Sequence, residues 1–327
     1  MTMNRWFAVP VLALAVVACG GGGDGGSAAV VVPSAVRSGT ASAGSDVNAG
    51  NAASFAGVMA RAVMSGADDS VPGVSAAREA PQSHTIGAAL SGRWLRFAVA
   101  SAAREQALAV TSQTLACDFG GSVTLSVNDA DDNQKLSAGD SATFLFSACV
   151  IEMGLPAVTG SLAFTVNAIE LDANQQPTAL DASLTLAGFT ELGFGSLSGS
   201  FRIWYRPEGG ATRQRLSYLA TSVIEQGQAL TYDHDVYGLY GSAGASFDVN
   251  GALTVGGNVY AVSTPTVFSS AAGALPGSGV LTLRDAAGDA VILRARSATA
   301  FDIEFQAAGA ATSTVVSPGL LWNGYKL

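Results

Sequence analysis

From Cys117 to the C-terminus the chain alternates. Phe301, Ile303 and Phe305 are interleaved with Asp302, Glu304 and Gln306, and Phe201, Ile203 and Tyr205 stand against Arg202, Trp204 and Arg206. Successive side chains of a strand point to opposite faces, so this pattern gives one dry and one wet face. Similar runs occur at 121–127, 142–149, 161–171, 180–188, 215–225, 229–238, 246–254, 257–263, 279–284 and 290–296, separated by Gly or Pro-Gly breaks. About a dozen strands with short connections predict, for residues 111–327, a large antiparallel sheet, curled or barrel-like, because an open flat sheet of that width is unusual. No helical pattern interrupts the series, which argues against a parallel doubly wound fold.

Upstream the period changes. Phe55, Val58, Met59, Ala62 and Val63 recur at helical spacing in 51–65, as do Leu90, Trp94, Leu95, Val99 and Ala102 in 88–108. The expected fold is therefore mainly β, with two N-terminal amphipathic helices, in a helical segment 51–110, packed on the sheet. Arg93 and Arg96 beside Trp94 and Phe97 leave a membrane-surface helix as the alternative for the second. Only 13% of residues are charged, with 16 Lys+Arg against 25 Asp+Glu and a net charge of −9. The chain lacks the basic face that neutralises phosphates, so no nucleic-acid partner is expected. Its 2 histidines argue against a His-built metal or catalytic centre.

Residues 1–19 place Arg5 before an apolar run from Trp6 to Val17, with the small Ala18 ahead of Cys19. This is the layout of a secretory signal, and the run is too short to span a bilayer. The segment Val16-Val17-Ala18-Cys19 resembles the lipobox of bacterial lipoproteins. The resemblance implies a signal peptide at 1–18, lipidation of Cys19 on its thiol, and acylation of the new amino terminus. Three chains, at about 0.8 kcal/mol per buried methylene, make such an anchor lasting. An ordinary cleaved signal with a chance cysteine is the alternative. Gly20 stands where an Asp would imply inner-membrane retention, so the same resemblance implies the outer membrane, facing the periplasm or the cell surface. Residues 20–26 read GGGGDGG and small residues continue to Gly50, so 19–50 is expected to be a lipid anchor and flexible tether.

With Cys19 assigned to the anchor, Cys117 and Cys149 remain, an even pair in an oxidising compartment. A hairpin folded about Asn133 sets them opposite each other and predicts a cross-strand disulfide; two buried thiols are the alternative. The tip, residues 129–140, reads DADDNQKLSAGD. Oxygen-bearing side chains fall at loop positions 1, 3, 5, 9 and 12, as Asp129, Asp131, Asn133, Ser137 and Asp140, with apolar Leu136 at position 8. This resembles the calcium loop of the EF-hand and dockerin families, which implies a calcium ion held by these side chains and by the Lys135 carbonyl at position 7. The pattern departs at position 6, where Gln134 replaces Gly, at position 12, where Asp140 is shorter than Glu, and in its strand-like flanks. A solvated Asp/Asn turn is the alternative. The C-x-x-G-G beginning at Cys117, the acidic loop and the second cysteine together resemble uncharacterised proteobacterial envelope lipoproteins, from which no activity carries over.

Catalytic candidates do not assemble. Strand alternation places His234 on the face opposite Asp233 and Asp235, leaving a solvated polar strand end as the simplest reading of that cluster. His84 falls in a loop segment. The chain has no G-x-S-x-G elbow, no P-loop and no dinucleotide fingerprint. Glu152, Glu170, Glu191, Glu208, Glu225 and Glu304 are scattered, with no spacing that pairs two carboxylates for glycoside hydrolysis. The sequence reads as a lipid-anchored envelope protein acting as a non-enzymatic binding or structural module. The alternatives are a periplasmic carrier of an apolar ligand, with the helices plugging the curled sheet, then an envelope hydrolase or a membrane-inserted β-barrel. The expected partners are the membrane, through the lipid, and an apolar small molecule or another envelope component.

Overall fold

The computed structural model describes residues 29–34, 37–44, 46–67, 112–150, 157–172, 177–191, 195–225 and 228–325. Among them, one sheet of fourteen antiparallel strands runs as an uninterrupted meander, each strand paired with its neighbours in sequence. The strands are β1 (Ser112–Ala116), β2 (Ser122–Asn128), β3 (Ser141–Cys149), β4 (Val158–Leu171), β5 (Pro177–Glu191), β6 (Gly195–Glu208) and β7 (Ala211–Glu225), followed by β8 (Gln228–Gly241), β9 (Gly244–Val255), β10 (Asn258–Ala271), β11 (Ser278–Arg284), β12 (Ala290–Ser297), β13 (Ala300–Gln306) and β14 (Thr314–Leu321). β1 and β14 are the two edges, so the sheet is not closed. Alternation did not mark either edge. β1 is short and exposed, and β14 carries Pro318, which an edge strand tolerates because it pairs on one side only.

The dry face is the inner one. Phe144, Phe164, Phe247, Phe268 and Phe301 project from five different strands, each at most 1% exposed. A 3-10 turn (Ala52–Phe55) leads into helix α1 (Ala56–Ala67), whose Val58, Met59, Ala62 and Val63 are buried, as their spacing predicts. α1 packs against β8, β9, β11 and β12. In a flat sheet β8 and β12 would lie about 19 Å apart, wider than a helix of about 10–12 Å. The sheet therefore curls around α1. The second expected helix, 88–108, lies outside the described residues, which contain one α-helix.

The two ends of the sheet differ. One, the loop end, carries the 129–140 tip and the turn between β8 and β9; the other, the staple end, carries the Cys117–Cys149 disulfide and the turn between β9 and β10. The disulfide is present, with a Cα–Cα distance of 5.5 Å, but the expected register needs correction. Val123 faces Phe146, and the pairing runs on so that Phe119 N–H donates to the Val150 carbonyl and Val150 N–H to that of Gly120. Cys117 instead directly follows β1, in the turn that returns as β2. The C-x-x-G-G run makes that turn possible: Gly121 has φ +72, and a Cβ there would sit 2.0 Å from the Ala148 carbonyl oxygen.

The described residues between 29 and 50 are also not a free tether. Val30 N–H donates to Glu170 and its carbonyl accepts from Arg206. The Pro33 carbonyl accepts from Arg215, Arg37 meets Asp233 and Asp235, Ser42 pairs with the Val259 backbone, and Val47 N–H donates to Asp285. This strap crosses the outer face diagonally from the loop end to the staple end, and α1 then runs up the inside. Phe55 packs edge-on against Tyr260 near the staple end, and Tyr240, toward the loop end, donates its hydroxyl to the Gly66 carbonyl at 2.9 Å.

Replacing Cys117 and Cys149 together by Ser removes a crosslink between residues 32 apart. Loop-closure entropy puts the expected loss at roughly 3–4 kcal/mol, measurable by equilibrium denaturation, and reduction of the unsubstituted protein should reproduce it.

Candidate functional site

The acidic tip folds as a compact loop. Asp129 accepts the backbone N–H groups of Asn133 and Gln134, at 3.3 and 2.7 Å, and Asn133 accepts that of Lys135 at 2.6 Å. Gln134, at the position where the calcium-loop pattern has Gly, adopts φ +57, so the left-handed turn forms without glycine. Leu136 is buried and ties the loop to the core. Asp140 is fully buried, accepting Ala130 N–H at 2.9 Å and Ser137 N–H at 2.6 Å. Asn133 and Ser137 both donate to Asp131. Burial pushes the Asp129 carboxyl up, but the N–H groups of Gln134 and Asn133, the Asp131 side chain and the Asp132 backbone outweigh it and hold the group below its ordinary value.

One carboxylate oxygen from each of Asp129, Asp131 and Asp140 lies within 4.8 Å of the others. That matches the span across a calcium coordination sphere, about twice 2.4 Å. The donor set suits a hard cation, being all oxygen with three carboxylates, and Asn133 and Ser137 adjoin Asp131. Lys135 is placed by its own N–H, and Cys19 lies outside the described residues.

The outer face holds a second cluster that sequence reasoning missed. Cross-strand pairing sets Asp181, Trp204, Arg215, Tyr237 and Asp248 in one row, and Ser183, Arg202, Ser217, Asp235 and Asn250 in the next. Asp235, 1% exposed, accepts from Arg215 at 2.6 Å, from the Ser217 hydroxyl at 2.5 Å and from Arg37 N–H at 3.2 Å. The Trp204 ring has Arg202 at 4.6 Å and Arg215 at 5.4 Å from its centroid. Counting outward from the Gly209-Gly210 turn would have placed Trp204 opposite Arg215. Nothing in the sequence marked Arg37 as their cover.

His234 points inward, opposite Asp233 and Asp235, as alternation requires, but the segment is no solvated strand end. The ring stacks on Tyr218 at 4.6 Å, meets Tyr232 edge-on at 5.5 Å, and neither nitrogen has a hydrogen-bond partner. Burial drives its pKa down to about 3, with Asp233 raising it and Arg37 lowering it. The imidazole is therefore neutral and serves as a packing ring. Tyr205, also inward and buried, has its phenol pushed up by burial. These rings form no acid–base–nucleophile arrangement. No protein-family model matches the chain, and no match is found among curated proteins or solved structures.

Two outcomes follow. Added calcium should raise the melting temperature of the unsubstituted protein, and Asp129→Ala should abolish the rise; calorimetry with and without chelator checks both. For His234, the folded pKa of about 3 lies below the unfolded 6.5. Its contribution is thus complete above pH 6.5 and is lost as the pH falls toward 3, by up to about 1.4 kcal/mol per unit. His234→Phe should flatten that slope in denaturation series between pH 6.5 and 4.5. Asp248, raised by burial and sloping the other way, is common to both proteins and cancels in the difference.

Proposed function

We propose that the chain is an envelope protein anchored by lipid at Cys19 and working as a non-enzymatic binding or structural module at the outer membrane. One observation carries the reading: the concave face of the sheet is packed by the chain's own side chains. Phe144, Phe164, Leu162, Val249 and Leu253 on the strands and Met59 and Val63 on α1 are all at most 1% exposed. A carrier of an apolar ligand needs an open chamber there, so this packing supports a filled scaffold with outward-facing function. The outer face supports the same choice over a membrane-inserted barrel. It presents Asp181, Arg202, Arg213, Asp233, Arg294 and Arg296, and charges on a lipid-facing barrel surface are destabilising. Calcium in the 129–140 loop would stiffen the loop end.

The mature protein tests this. Its N-terminal peptide should begin at Cys19 and carry the mass of three acyl chains, whereas an unmodified peptide reading through Ala18-Cys19-Gly20 overturns the anchor. In native mass spectra, Cys19→Ala should appear at the mass of the polypeptide alone; a co-purifying lipid would favour the carrier.

A further inference from the structure

We infer that the strap orients the protein on the membrane, so that the loop end with residues 129–140 faces the bilayer and the disulfide-stapled end faces away. This rests on the lipid anchor at Cys19; what it adds comes from where the strap begins. The first described contacts of the chain after Cys19 are those of Val30, held through both its N–H and its carbonyl by Glu170 on β4 and Arg206 on β6. Both partners lie within two residues of the loop-end terminus of their strand. The bilayer-bound chain thus joins the fold at the loop end.

The leash lengths make this consequential. The chain from Cys19 to Val30, eleven residues on, reaches at most about 38 Å even when fully extended. The 14-residue strands β4, β6 and β8 run about 45 Å from end to end. A leash that short keeps its point of departure, and the loops around it, nearest the membrane. Were the strap free ahead of Ser42, the chain would join the fold at Ser42, paired with Val259 at the staple end, with a reach of up to about 80 Å, and the opposite end would be the tethered one. The strap therefore selects which end is presented.

Most of its hold ahead of Ser42 can be removed without touching the core. A Cβ on Gly39 would sit 1.7 Å from the Gly251 carbonyl oxygen, so Gly39→Ala lifts the strap from β9. Arg37→Ala removes the contacts with Asp233 and the Tyr218 carbonyl. Glu170→Ala and Arg206→Ala free Val30.

The experiment uses the full lipidated protein in phosphatidylethanolamine–phosphatidylglycerol vesicles containing a headgroup nitroxide lipid. A fluorophore is placed through Ser242→Cys at the loop end or Ala287→Cys at the staple end, both exposed turns. The Ser242 probe should be quenched several-fold more than the Ala287 probe, and the four-substitution strap variant should lose or reverse that difference. Equal quenching in protein that floats with the vesicles overturns the orientation while leaving the anchor standing. So does a difference that survives in the strap variant. Protein that does not float overturns the anchor itself, and the orientation with it.

Discussion

Fourteen consecutive strands with one apolar face cannot stand in water until that face is covered, and the described cover is helix α1, which the same chain supplies from its N-terminal side. Burial of the inner phenylalanines and of the α1 stripe removes apolar surface from water at about 25 cal/mol per Å², the dominant favourable contribution available to a chain with so little charge. Connectivity then dictates the rest. α1 enters from the staple end because the residues before it have crossed the outer face to reach that end. The strap and the helix thus hold the middle of the sheet from both sides.

The outer face works by pairing. Charged side chains are rare in this sequence, and many of those described face one another across neighbouring strands. Arg202 meets Asp181 through two hydrogen bonds, Arg294 meets Glu304 likewise, and Arg296 meets Asp302. All three are diagonal neighbours, since Arg202 directly faces Ser183 and Arg294 directly faces Asp302, and cross-strand pairs of opposite charge stabilise a sheet by roughly 0.2–1 kcal/mol each. For Glu304 the Arg294 contact holds the carboxyl below its ordinary value against the cost of burial. For Asp302 burial is the largest influence and raises it, but the Gly319 N–H and Arg296 together prevail. The alternation at 301–306 is therefore correct in period, while Asp302 and Glu304 on its polar side are buried carboxylates capped by exposed arginines rather than a wet face. The Arg215–Asp235 pair goes further, being buried on both partners, where removing one charge strands the other.

What was legible in the sequence was periodic. The strand series, the α1 stripe from Phe55 to Val63 and the inward turn of His234 follow from the directions side chains take at fixed spacing, and the Cys117–Cys149 bridge was legible from an even cysteine pair flanking a hairpin. The bridge's register was misjudged because the C-x-x-G-G turn inserts β1 before the hairpin, and counting from a loop midpoint cannot see a turn that tightens through a left-handed glycine. In the acidic loop, Asp129, Asp131 and Asp140 bring one carboxylate oxygen each within 4.8 Å of one another. The departure at Gln134 proved harmless to the turn, since the residue takes the left-handed conformation itself. The strap was invisible because its contacts are made largely by its backbone, through Val30, Pro33, Ser42 and Val47, and backbone donors leave no mark in composition.

Composition misleads about residues 29–50 for a further physical reason. A segment rich in Gly, Ala and Ser cannot bury enough of its own apolar surface to fold in isolation, and read alone it is a tether. Its order is conditional on a partner surface that the chain makes later. The partners of Val30, Arg37 and Val47 lie 140, 198 and 238 residues downstream, whereas consecutive strands of the meander are only a few to about a dozen residues apart in sequence. The hairpins can form from local contacts, the fast kind, but the strap has nothing to bind until β4 to β11 exist. During synthesis it emerges first and docks late, so a composition that resists premature collapse is what this position requires. The feature that makes the segment look like a leash is the one that lets it serve as a strap.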